Sequence, residues 1–163
     1  MTVPSFDDSV VVRAAGAEVI GRTPTTIRLL ADSVATGGAL STVQASLATG
    51  ANGATPHHHA GSAELFYVLD GSAQLLSGER VVTANRGDLV VVPPGMTHAF
   101  AAAPGRDAEI LIVIVPGVER FEYFRHLERI AYGKVPRESL LEVQDLYDTW
   151  FERSQAWDAA RAT

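Results

Sequence analysis

From residue 10 to residue 115 the chain does not sustain a helical period. Short β-branched and apolar runs alternate with glycine, proline and aspartate. The candidate strands are Val10–Val12, Thr25–Leu30, Ser41–Ala48, Glu64–Leu69, Ala73–Leu76, Arg80–Thr83, Leu89–Val92, His98–Ala102 and Glu109–Val115. In Ser41–Ala48, Thr42, Gln44 and Ser46 alternate with Val43, Ala45 and Leu47, which is the period of a half-buried strand. Asp70-Gly71 ends one run, and Ser77-Gly78-Glu79 joins two others as a hairpin turn. Strands this short bury their apolar faces by closing into a sandwich or barrel. The expected fold is all-β.

After Pro116-Gly117 the period changes. Val118, Phe121, Phe124, Leu127 and Ala131 recur at helical spacing, Gly133 can end that helix, and Pro136 can open another. Leu140, Val143, Tyr147 and Trp150 form the second stripe, with Leu141 and Phe151 beside it. These helices are expected to pack outside the β domain or on a partner subunit. There is no internal repeat, and 163 residues suit one compact domain. Its expected parts are N-terminal strands over 1–38, a barrel core over 39–116 and a helical extension over 117–163.

The formal net charge of −6 offers no basic face for nucleic acid. No run of like charge suggests a membrane-surface patch. The absence of cysteine removes disulfides, thiolate nucleophiles and cysteine metal sites. MTVPSFDDSV lacks the basic and apolar regions of a signal peptide, and Ile110–Val115 is too short to span a bilayer. A soluble, cytoplasmic protein is expected.

One stretch, PHHHAGSAELFYVLDG at 56–71, concentrates metal-type side chains. On an extended strand His57 and His59 point to one side and His58 to the other. The small loop Ala60-Gly61-Ser62 lets Glu64 return to the same point, and His98 follows Pro93-Pro94-Gly95 on another segment. Three imidazoles and a carboxylate suit Fe(II), Ni, Mn, Co, Zn or Cu. Taken alone, three adjacent histidines also fit a solvated loop. The parity of Glu64 carries Phe66 and Val68, and that of His98 carries Phe100. These residues would dry and shape a substrate pocket, or simply fill the core. Gln44, with Thr42 and Ser46, either lines that pocket or faces water.

The spacing resembles the cupin family. Its first motif is matched by His57-x-His59, four residues, Glu64, six residues and Gly71. Its second is matched by Gly87, five residues, Pro93-x-Gly95, two residues and His98. Fifteen residues separate Gly71 from Gly87, similar to the spacing of compact bacterial members. The resemblance covers about residues 40–115. Ala51 stands where the family has the opening glycine of the first motif, and Ala102 where it has the closing asparagine of the second. Neither position is a metal ligand in the family.

The resemblance implies a barrel of two antiparallel sheets (the double-stranded β-helix, or jelly roll) holding one divalent transition metal on His57, His59, Glu64 and His98. His58 and His126 are not carried over. Similarity to quercetinase-like single-domain members implies a dioxygenase acting on a small oxygenated aromatic or enolisable compound with O2, with Glu64 both ligand and proton acceptor. A non-oxidative isomerase or polyketide cyclase, and a non-catalytic small-molecule binder, are the alternatives that the family offers. It also implies a homodimer; Trp150, Phe151 and Trp157 either cover the barrel mouth, dock on its wall or meet that second chain.

Overall fold

The computed structural model describes residues 6–162. Residues 1–5 of the N-terminal segment lie outside that range. Ten strands form one curled antiparallel sheet system: β1 Val19–Arg22, β2 Thr25–Ala31, β3 Ser41–Leu47, β4 His57–His58, β5 Ala63–Ser77, β6 Arg80–Asn85, β7 Leu89–Val92, β8 His98–Ala102, β9 Ala108–Val115 and β10 Trp150–Phe151. The order is β1-β2-β3-β9-β5-β8-β4-β10, with β6 and β7 also paired to β5. This is a jelly-roll type of arrangement, as the resemblance implies, and an all-β barrel, as the strand pattern predicts.

β5 joins the two sheets. Its first half pairs with β9 and β7, and its second half with β6 and β8. The sequence reads as two strands broken at Asp70-Gly71. The chain instead runs through as one bent strand, with a register shift between Val68 and Asp70. Gly71 makes the bend possible. Its φ is +72°, and a Cβ there would lie 2.0 Å from the carbonyl oxygen of Asp107.

Alternation places one set of side chains inside. Val43, Ala45 and Leu47 of β3, Phe66 and Val68 of β5, and Ile110 and Ile112 of β9 form a single core with Leu29, Leu75, Val92 and Phe100. Each large apolar side chain buried in this way contributes about 1.5–3 kcal/mol. β8 is buried on both faces, because Trp157 covers Leu76, Ala99 and Ala101 from outside.

Two further expectations are corrected. Val10–Val12 forms no strand and is exposed, having no paired neighbour to cover it. The predicted second helix is not one helix. Arg137–Val143 is 3₁₀, Gln144–Tyr147 is a short α-helix (α2, after α1 at Phe121–Ala131), and the chain then turns left-handed at Asp148 with φ +46°. Trp150 and Phe151 continue as β10, and α3 follows at Gln155–Arg161, capped by the Ser154 side chain. α1 does end at Gly133, whose φ is +69°. Phe121 and Phe124 pack on the main core, and Tyr123 packs with Leu140 and Tyr147 in a second cluster. Among the described residues no helix is long and apolar enough to cross a membrane.

Gly71→Ala should lower the unfolding free energy by about 2–4 kcal/mol, since both the left-handed backbone and the Asp107 contact oppose a methyl group. Urea unfolding monitored by tryptophan fluorescence measures this. A loss under about 0.5 kcal/mol would show that the bend tolerates a side chain.

Candidate metal centre

Two short strands and the start of β5 bring the four predicted ligands together. His57 of β4 stands directly across from His98 of β8. His59 leaves β4 for the loop, and its carbonyl accepts from the Gly95 N–H at 2.8 Å, tying the proline-glycine turn to the histidine segment. Glu64 points inward from β5, in the same parity as Phe66 and Val68. One ligand atom from each of His57, His59, Glu64 and His98 lies within 4.8 Å of the others, and all four residues are buried. His58 faces the other way and pairs with Glu152 at 2.8 Å. His126 sits on α1 and bonds Ser139 at 2.7 Å.

Backbone carbonyls fix the imidazole tautomers. Nδ1–H of His57 donates to Thr55 O at 2.7 Å, that of His59 to Asp148 O at 2.6 Å, and that of His98 to Met96 O at 2.9 Å. With Nδ1 as the donor on each ring, Nε2 is left to face the cluster. His59 Nε2 and His98 Nε2 lie 2.8 Å and 2.5 Å from the same Glu64 Oε2. Two lone pairs this close to a carboxylate oxygen repel unless a cation lies between, either protons on the rings or a metal ion. The donor set therefore fits a divalent metal, with the carbonyls as the outer support that orients each ring.

The charge balance follows the same geometry. Burial would raise the Glu64 carboxyl, but the His98 charge and the hydrogen bonds from His59 and His98 outweigh it and hold it well below the usual carboxylate range. Burial would lower His98, but Glu64 reverses this and raises it above the ordinary imidazole value. His57 is pushed well below that value by burial and by the neighbouring imidazoles.

Of the expected pocket residues, Phe66, Val68 and Phe100 are inside. The Phe66 ring centroid is 6.0 Å from that of His98 and 5.7 Å from that of Phe100. Gln44 is a correction. It is on the outer face of β3, where it and Ser46 bond to Glu109 at 3.1 Å and 2.7 Å. The inward residues of that strand are Ser41, Val43, Ala45 and Leu47. A narrow cavity beside Glu64, with room for about one water molecule, is bounded by Ser41, Val43, Ile114, Arg120 and Phe124. A wider groove of about 460 Å³ lies over β6 and β7 and contains none of the four ligands.

Sequence reasoning missed the C-terminal strap. β10 pairs with β4, Trp150 opposite His58 and Phe151 opposite His57. Asp148 holds the loop as well as His59, because its carboxylate accepts the N–H groups of Ala60 at 2.8 Å and Gly61 at 2.9 Å. Burial raises the Asp148 carboxyl, but these N–H groups and Trp150 outweigh it and lower it. Helical spacing of Tyr147 and Trp150 hid this strand, and a two-residue strand carries no period of its own.

Residues 43–114 match the family model described as the cupin domain. The strand order and the inward His57, His59, Glu64 and His98 give the chain a cupin fold. Solved structures agree on the fold. An RmlC-like cupin from Shewanella frigidimarina is 17% identical, with a TM-score of 0.59, over 73% of this chain and 99% of that one. A predicted oxalate decarboxylase from Thermotoga maritima is 23% identical, with a TM-score of 0.58, over 66% and 99%. The polyketide cyclase RemF from Streptomyces resistomycificus is 23% identical, with a TM-score of 0.53, over 81% and 97%. No protein of curated function matches the sequence significantly.

His98→Ala should reduce bound metal by about tenfold or more with the fold retained, whereas His58→Ala should leave it unchanged. Elemental analysis with circular dichroism checks both; equal losses in the two variants would mean the strand register is wrong. Metal affinity should also depend on pH. Because the His98 pKa is raised, its proton competes with a metal at and above the ordinary imidazole value near 6.5. Affinity should fall as pH drops, with the fall beginning above the ordinary imidazole value. A flat affinity from about pH 8 to pH 6 would contradict this assignment.

Proposed function

We propose that the chain is a metal-dependent cupin oxygenase, acting on a small oxygenated aromatic or enolisable compound with O2. One observation carries the reading: three imidazoles with Nδ1 anchored on backbone carbonyls converge with a buried carboxylate, all ligand atoms within 4.8 Å. His57, His59, Glu64 and His98 would hold the ion. When bound, a divalent metal supplies Lewis acidity toward a substrate oxygen and, if redox-active, electron exchange with O2.

The chain's own residues do the rest. The three carbonyl contacts keep the imidazoles aimed without reorganisation. Glu64 stays ionised, and its carboxylate oxygen is the group assigned to take a proton from an enol or phenol, although its lowered pKa makes it a weak base while His59 and His98 bond to it. Phe66 and Phe100 exclude water from the side of the core. Entry requires movement at the cavity wall, because the four ligand residues are each at most 5% exposed. A homodimer in the cytoplasm belongs to the same proposal. Tyr67, Leu69, Leu89 and Val91, exposed on the outer face of β5 and β7, support the dimer.

The test is elemental analysis of untagged protein prepared without a nickel column, followed by O2 uptake with flavonols and simpler enols. About one equivalent of iron, nickel, manganese, cobalt or copper with O2 consumption is the expected result. Zinc without O2 uptake would move the reading to isomerisation or cyclisation at the same centre. Failure to take up any metal after reconstitution would leave a non-catalytic ligand-binding barrel. Glu64→Gln should lower turnover by about 10²–10⁴-fold. Turnover within threefold of wild type would remove Glu64 from the proton step.

A further inference from the structure

Arg120 is a buried cation without a counter-ion. It is 4% exposed. Its Nη1 donates to Tyr147 O at 3.2 Å and to Thr149 Oγ1 at 2.7 Å, both neutral. Its Nε has no protein acceptor. No ion pair among the described residues includes it. The nearest candidate, Asp32, spends its carboxylate on backbone groups, accepting the N–H of Arg120 at 2.7 Å and of Phe121 at 3.1 Å. The guanidinium carbon lies 4.1 Å from the Tyr123 ring centroid and 5.5 Å from that of Phe124.

Burial of a guanidinium with one side unpaired is costly, and contact with aromatic faces offsets only part of that cost. The position is nevertheless fixed from three directions: Asp32 holds the backbone, Thr149 and Tyr147 hold Nη1, and Tyr123 lies against the plane. This is the form of a prepared anion site rather than of an incidental surface charge. Its place relates it to the four-residue cluster. Arg120 and Glu64 bound the same narrow cavity, whose other walls, Val43, Ile114 and Phe124, are largely apolar. Glu64 makes no ion pair with Arg120, and its Oε2 is met by His59 and His98.

We propose that Arg120 recognises the substrate's carboxylate, so that the compound acted on is a small organic acid with its acid group at Arg120 and its reacting oxygen toward His57, His59, Glu64 and His98. A planar guanidinium matches a planar carboxylate in a two-pronged pair. Because the cavity has room for about one water molecule, the acid enters only when the wall at Phe124 moves. The assignment rests on the metal-centre reading for the position of the reacting end, but not for the anion site. Arg120 is a specificity residue in this scheme, and the step it performs is binding.

The experiment titrates acetate and acetamide into wild type, Arg120→Gln and Arg120→Lys by NMR chemical shift, each protein metal-free and metal-loaded, with metal content measured on the same samples. Wild type should bind acetate about tenfold more tightly than acetamide, and Arg120→Gln should lose that preference with metal content unchanged. Arg120→Lys keeps the charge but not the planar fork, and should lose most of the preference. Its loss there carries the test if Arg120→Gln does not fold. An equal affinity of wild type for the two probes, or a folded variant that keeps the full preference, overturns the assignment. If the protein takes up no metal, the metal-centre reading fails on its own, and the preference of the metal-free protein decides for or against Arg120.

Discussion

A carboxylate buried in the wall of a β-barrel has to be met by positive charge, and most of this molecule is arranged around that requirement. Glu64 is 5% exposed among apolar neighbours. An ionised carboxylate in such a place is untenable alone. Two imidazoles reach its Oε2, a third lies beside them, and the pairing is strong enough to keep it ionised against the pull of burial. The same geometry makes the cluster one that could hold a metal ion: its charge and its lone pairs both favour a cation at one point.

The ligands come from strands that would be weak by themselves. β4 is only His57–His58 and makes one registered pair with β8. Its other side is paired by β10, more than ninety residues later in the chain. The C-terminal strap is thus the missing edge of a ligand-bearing strand. Asp148 sits where the strap meets the loop, in a left-handed conformation that a bulky residue would strain, with its carbonyl on His59 and its carboxylate on Ala60 and Gly61. α3 then carries Trp157 onto the outer face of β8, so the strand of His98 is held from both sides.

The sequence was most legible where a side-chain pattern and a backbone pattern agree. Leu89–Val92 and His98–Ala102 are strands with the bounds that the apolar runs indicate, because turn residues flank both. His57, His59, Glu64 and His98 converge as their spacing implies, since strand parity alone decides which histidines share a side. Legibility failed where tertiary pairing overrode local pattern. Val10–Val12 has strand composition but no neighbour. Asp70-Gly71 reads as a turn, but the glycine serves a bend inside one long strand. Gln44 could not be placed because alternation gives two faces without saying which is inner; its bond to Glu109 puts it outside. Arg120 left no signal, since an arginine beside a predicted helix is ordinarily solvated, and only the fold shows it enclosed.

Arg120 and Asp148 also connect two parts of the molecule that sequence reading kept separate. The helical extension supplies Tyr123, Tyr147 and Thr149 around the arginine, and the next residues supply the strap against β4. One continuous segment, 120–151, therefore bounds the cavity on one side of Glu64 and supports His59 on the other. Because this one segment does both, the cavity and the fixing of the histidines are not independent: a motion that widens the cavity at Phe124 acts on the same segment whose Asp148 carbonyl holds the His59 ring. The extension is part of the surroundings of the cluster rather than an appendage to the barrel.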